Sequence, residues 1–220
     1  MESPLSILYI HSHGLTTKLQ RVLRRLYPGE NVEAMARVLA RASRRGWITY
    51  GEIDLDEAER LDLMLLLIEE RLLIPKASVK SMAWEDRLAR FKADEVYEMP
   101  HAIRNLIQIA LEGGVWNPRE AVRRYLNEIG EEKADVILSL LDRIMETVEG
   151  YRVDAETLRG LVEEIGLGRE INRVIAELKG GGILSPSLRD PRRLKYEVNP
   201  ALMKCWPSST EASKPRLKDA

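Results

Sequence analysis

Residues 151–198 read YRVDAETLRGLVEEIGLGREINRVIAELKGGGILSPSLRDPRRLKYEV, and the spacing of their apolar residues decides the fold. Tyr151-Arg152-Val153 reads as a short strand. Asp154 stands where a helix cap is needed, and Leu158, Leu161, Val162 and Ile165 recur at i, i+3, i+4 and i+7, which is one face of a helix. Gly166-Leu167-Gly168 breaks it. A second helix, Arg169 to Lys179, carries its core stripe on Ile171, Val174, Ile175 and Leu178 and stops at Gly180-Gly181-Gly182. Two more strands, Ile183-Leu184 and Leu194 to Val198, enclose a basic tip.

Working upstream, the same order of features recurs. Gly46-Trp47-Ile48-Thr49 matches Gly150-Tyr151-Arg152-Val153 as a glycine stop before an aromatic-led strand, and Leu73-Ile74-Pro75 matches Leu184-Ser185-Pro186. Tyr97-Glu98-Met99-Pro100-His101-Ala102-Ile103 lines up with Tyr196-Glu197-Val198-Asn199-Pro200-Ala201-Leu202, a strand running into a proline-opened helix. The first copy is shorter after its opening strand, so its second helix is reduced to a turn near Tyr50 to Ile53. Its main helix opens at Asp54-Leu55-Asp56-Glu57, a capping box, and continues to about Leu72. With Leu61, Leu65, Ile68 and Leu72 facing the core, that helix presents Glu59, Leu63, Leu66 and Glu70 outward. Carboxylates repel phosphate and exposed leucines need cover, so this helix is either a central core helix or one that packs on the second unit, on the N-terminal helices or, as a protein interface, on a second subunit. The long connection 76–96 includes Ala83-Trp84-Glu85-Asp86-Arg87, a short helix of its own.

Between the copies, Pro100 to Leu111 and Pro118 to Ile129 form helices separated by Gly113-Gly114 and the capping pair Asn117-Pro118. Glu131 to Glu149 opens the second copy. At the N-terminus, Leu5 to Ile10 reads as a short helix. A helix capped by Thr16 or Thr17 then turns Leu19, Val22, Leu23 and Leu26 inward, and one from Asn31 does the same with Val32, Met35, Ala36, Leu39 and Ala42. Arginine stripes lie on their outer faces: Arg21, Arg24 and Arg25, then Arg37, Arg41, Arg44 and Arg45. The divisions expected are N-terminal helices 1–30, a first unit 31–103, connecting helices 104–130, a second unit 131–205 and a mobile tail 206–220.

At 220 residues, with 45% hydrophobic but 5% aromatic residues and a single Phe, cores of Leu, Ile, Val and Ala suit helices more than sandwiches. One cysteine, Cys205, excludes an intramolecular disulfide and fits a reducing cytoplasm. The longest apolar run, Leu63 to Ile68, is far too short to span a bilayer, so no membrane is expected. Six Asn and two Gln beside 31% charged residues, with Arg exceeding Lys, is a thermophile's balance. The net charge of −1 argues against indiscriminate coating of nucleic acid, but the charge is blocked: eight basic residues against three acidic over 1–46, and two against eight over 47–75.

Two helices joined by a glycine-containing turn and followed by a hairpin are the arrangement in which the second helix enters a DNA groove. Residues 151–198 thus resemble the winged helix-turn-helix superfamily, and the repeat resembles a tandem winged-helix protein of thermophilic or archaeal type. The expected fold is mainly α with short β-hairpin wings, two winged-helix units joined by helices. The resemblance implies a transcriptional regulator or chromosome-associated protein that binds double-stranded DNA, as a dimer. On the second helix, Arg169 and Arg173 lie opposite the core stripe with Asn172 on the flank; Arg can grip guanine bidentately and Asn can pair with adenine. Arg189, Arg192, Arg193 and Lys195 of the wing would neutralise phosphates. The runner-up is a non-enzymatic adaptor using the same units to bind proteins. Electrostatics separates the two: DNA binding needs Arg169, Arg173 and the wing arginines to form one basic surface, whereas an adaptor allows Glu170, Glu177 and Asp190 to neutralise it.

No enzyme, cofactor or metal is expected. Phosphate-loop, dinucleotide, zinc-protease and nucleophile-elbow patterns are absent. His11-Ser12-His13 offers two imidazoles without a third ligand, and Cys205 has no evident base partner.

Overall fold

In the computed structural model, which describes residues 16–76, 83–188 and 193–207, the glycine stops fall where the chain turns. Helix α1 (16–26) buries Leu19, Val22 and Leu23 with Leu26 half-buried, and helix α2 (Val32–Arg45) buries the whole stripe expected of it. Asn31 caps α2 by accepting from the Ala34 amide at 3.1 Å, and Gly46 ends it at φ 83°, a left-handed conformation that a Cβ would strain. Strand β1 (Trp47–Thr49), a 3₁₀ turn at Tyr50–Glu52, helix α3 (Glu57–Glu69) and strand β2 (Ile74–Pro75) follow, then a 3₁₀ turn at Trp84–Asp86 and strand β3 (Val96–Glu98). Helices α4 (His101–Gly113), α5 (Pro118–Glu128) and α6 (Ala134–Thr147) lead to strand β4 (Arg152–Asp154), helices α7 (Ala155–Glu164) and α8 (Ile171–Gly180), strands β5 (Leu184–Ser187) and β6 (Lys195–Val198), and helix α9 (Pro200–Met203). The protein is mainly helical with two small three-stranded antiparallel sheets, ordered β1-β3-β2 and β4-β6-β5.

The two sheets share a register. Ile48 and Pro75 pair with Tyr97 from either side, as Val153 and Pro186 pair with Tyr196. The strand β3 continues into α4 at Pro100, and β6 into α9 at Pro200. The sequence match is one residue out of step at the opening strand: Ile48 corresponds to Val153, not Arg152, because Tyr151 takes a left-handed φ of 65° before its strand begins.

Helix α3 departs from its expected phase. Leu63, Met64 and Leu67 face the core, Leu66 is half-buried and Leu65 is exposed. The run Leu61-Asp62-Leu63-Met64-Leu65-Leu66-Leu67-Ile68 is apolar almost all round, so periodicity alone could not set its rotation. The helix is capped by Asp56, whose carboxylate accepts from the Glu59 amide at 2.9 Å, and it ends at Glu69, short of Leu72, where Arg71 turns left-handed at φ 54°. Asp154 occupies the cap position of α7 without making a side-chain cap bond, and lies instead 3.7 Å from Lys195 Nζ.

One hydrophobic core runs from α1 and α2 through α4, α5 and α6 to α8 and α9. Helices α4 and α5 supply buried Ile103, Leu106, Ile107, Val122 and Leu126 to it, so the connecting helices are core and not spacer. Several contacts bind the two halves directly. The Trp84 amide donates to Ser185 Oγ at 2.9 Å, Trp116 Nε1 donates to the Ala201 carbonyl at 3.0 Å, and the Ala102 amide donates to the Gly181 carbonyl at 3.0 Å. Buried Asn199 donates through Nδ2 to the carbonyls of Arg71 and Gly182. Gly182, at φ 70°, admits no side chain, because a Cβ there would stand 2.3 Å from that of Pro100.

Candidate nucleic-acid interface

Helix α8 buries Val174 and Leu178, with Ile171 and Ile175 packed half-buried on the core, and this rotation leaves Asn172 and Ala176 exposed. Arg169 precedes the helix, on a 3₁₀ turn at Gly168–Glu170; it is exposed and makes no ion pair among the described residues. The helix therefore begins two residues later than its sequence suggested. Arg169 and Asn172 lie open at its start, as expected, but Arg173 does not join them.

Arg173 is half-buried and surrounded by carboxylates. Its Nη1 donates to Glu177 Oε1 at 2.8 Å and to Glu131, and its Nη2 donates to Glu170, which also takes Lys133. Burial pushes the Glu177 carboxyl up, and its neighbour Glu131 adds to this. For Glu131 burial acts in the same direction, but the Lys133 amide and the Arg173 guanidinium outweigh it and hold the carboxyl low. Glu170 is held low by Lys133 and then Arg173. Glu131 lies 42 residues from Arg173 in sequence, and no local pattern announces it.

Of the hairpin cations, Arg193 is exposed, Lys195 is half-buried beside Asp154, and Arg189 and Arg192, with Asp190, lie outside the described residues. The histidines His11 and His13 and the segment Leu5 to Ile10 also lie outside the described residues.

The leucine-bearing face expected on α3 is not assembled. Glu59 is exposed, but Leu63 is in the core, Leu66 is half-buried, and Glu70 accepts from Tyr27 Oη at 3.2 Å and pairs with Lys204 at 3.1 Å. The N-terminal arginines divide into two groups. Arg37 pairs with Glu33, and Arg41 and Arg45 with Glu52, whereas Arg21, Arg24, Arg25 and Arg44 are exposed with no ion pair among the described residues.

A cleft of about 660 Å³ opens between the first sheet and the C-terminal end of α8, a feature the sequence did not reveal. Trp47, Ile74, Trp84, Val96 and Met99 give it apolar and aromatic walls, and Lys76, Arg87, Arg104 and Lys179 line it with cations. Its residues come from distant parts of the chain, so no local pattern announces it.

Fold and surface define a mainly helical protein with two small three-stranded sheets on one core, bearing open cations at α8, on the N-terminal helices and in the cleft between its halves. A family model matches residues 17–207, from α1 to just past α9, and the chain belongs to that family. No curated protein and no solved structure matches it. None of the described helices is long and apolar enough to cross a membrane.

Proposed function

We propose that the chain is a non-enzymatic DNA-binding protein built from two winged-helix units, contacting duplex DNA through the second. The observation that carries this reading is the open start of α8, where Arg169 and Asn172 are exposed while Val174 and Leu178 are buried. Arg169 can reach a guanine edge and Asn172 an adenine, with Ala176 letting the helix approach. Arg193 and Lys195 of the wing, with Arg189 and Arg192, would meet the backbone. Arg173 is removed from the contact set and becomes a buttress. A regulatory or chromosome-associated role, in the cytoplasm and as a dimer, goes with this reading.

A second reading, a protein adaptor, is favoured by one observation: Glu170 and Glu177, together with Glu131, neutralise Arg173 and cut the positive potential of α8. Fluorescence anisotropy on random duplex DNA across a salt series decides between them. DNA binding predicts an affinity that falls steeply with salt and is lost in the Arg169→Ala/Asn172→Ala variant. No binding at low salt, where phosphate attraction is strongest, favours the adaptor.

A further inference from the structure

The cleft between the first sheet and the end of α8 combines a ligand-sized volume with two kinds of wall. Its volume of about 660 Å³ is within the range of small-molecule sites. One wall is aromatic: Trp47 lines the cleft with 41% of its surface exposed, and Trp84 is buried behind it. An exposed indole at a concave site offers a stacking surface. Arg45, paired with Glu52, stands over the Trp47 ring at 5.5 Å from its centroid and braces the indole at the edge of the cleft.

The other wall is cationic. Four cations line the cleft against one carboxylate, Glu98, which stands 3.6 Å from Arg87. Arg104 is committed through Nε and Nη2 to the Ser43 and Arg44 carbonyls, which fixes its guanidinium in place. Among the described residues Lys76 and Lys179 make no ion pair, and the buried Nε of Arg87 has no hydrogen-bond partner, its Nη1 donating to the Pro75 carbonyl at 3.3 Å. A buried donor without a partner is costly unless a ligand or water satisfies it. The first turn of α4 also opens onto the cleft at Pro100 and His101, and a helix start favours negative charge.

We propose that this cleft binds a nucleotide, its base against Trp47 and its phosphates among Lys76, Arg87 and Lys179. The site is separate from the start of α8 and goes beyond duplex contact. A free nucleotide and one unit of a single strand present the same ring and phosphate chemistry, and both are covered by the proposal.

Tryptophan fluorescence titrations of the full chain with ATP, GTP, adenosine, tripolyphosphate and a ten-residue oligo-dT test it. ATP, GTP or the oligonucleotide should quench saturably, at least tenfold more tightly than adenosine or tripolyphosphate. Preference for ATP or GTP identifies a free nucleotide as the source, and preference for oligo-dT a strand. Lys76→Ala/Lys179→Ala, two substitutions outside the core, should weaken binding at least tenfold with an unchanged circular dichroism spectrum. Trp47→Leu, which keeps every charge, should abolish the advantage over tripolyphosphate. The proposal is overturned if no ring-bearing anion saturates below about 1 mM, or if the lysine variant binds unchanged. The two sites fail separately: Arg169→Ala/Asn172→Ala should leave nucleotide binding intact, and the lysine variant should leave duplex binding intact.

Discussion

Arg71 and Glu197 are 126 residues apart and meet across the two halves of the molecule, Arg71 Nε donating to Glu197 Oε1 at 3.2 Å and Nη2 to Oε2 at 3.4 Å. Their side chains are only 13% and 10% exposed, and the guanidinium also lies 5.6 Å from the Trp84 ring centroid. Removing one partner of such a pair leaves a charge buried and unpaired, at a cost of about 3–5 kcal/mol. Arg71→Ala should therefore lower the urea-unfolding free energy by about that much, and Arg71→Met/Glu197→Leu should recover most of it. A loss below about 1 kcal/mol in the single variant would mean that solvent reaches the pair.

Arg173 should behave as a structural residue. Glu131, its most deeply placed partner, has a side chain only 3% exposed. Arg173 is itself 39% exposed, so solvent screens part of the loss and Arg173→Ala should cost about 1–2 kcal/mol, whereas exposed Arg169→Ala should change stability by no more than about 0.5 kcal/mol. The deficit of Arg173→Ala should shrink as pH falls below the ordinary carboxylate range, because protonating Glu131 removes the uncompensated charge. Equal denaturation midpoints for the two variants at pH 7 would return Arg173 to the surface.

Glu52 gives the clearest pH signature. Its Oε2 accepts from both the Thr49 amide and Thr49 Oγ1 at 3.0 Å, and Arg45 donates to Oε1 at 2.6 Å. The Thr49 amide first, then Arg45, pull the carboxyl down to about 2. A depressed folded pKa contributes stability that is complete above the unfolded value, roughly 4.3, and is lost as pH falls through the folded one. The stability difference between the native chain and Glu52→Gln should thus be constant from pH 7 to 5 and close between about pH 4 and 2. A difference independent of pH would show that the carboxylate bonds are not kept in solution.

These residues mark what was readable in the chain. The glycine stops at Gly46, Gly166 and Gly182 and the caps at Asn31 and Asn117 act locally, so helix order, strand order and the repeated strand-to-proline junctions could be read directly. The rotation of α3 could not, because a segment apolar on every side carries no phase; it is set by what packs on Leu63 and Leu67. The same limit governed the surface. The core stripe of α8 placed Asn172, and Arg169 just before it, outward, but Arg173 was claimed by Glu131 from another part of the chain, and the cleft draws Trp47, Arg104 and Lys179 from three parts of the fold. Local geometry predicts exposure, and long-range pairing decides what an exposed charge is free to do.

The unbroken core has a consequence for how the molecule comes apart. With α4 packed on α2 and α5, and α5 in turn on α6 and α9, neither half has a boundary along which it could peel away, so a single cooperative transition should carry both. Amide protons in β3 and β6 should then exchange with the same opening free energy, that of global unfolding. The two repeats are alike in register, yet they are melted, and made, as one object.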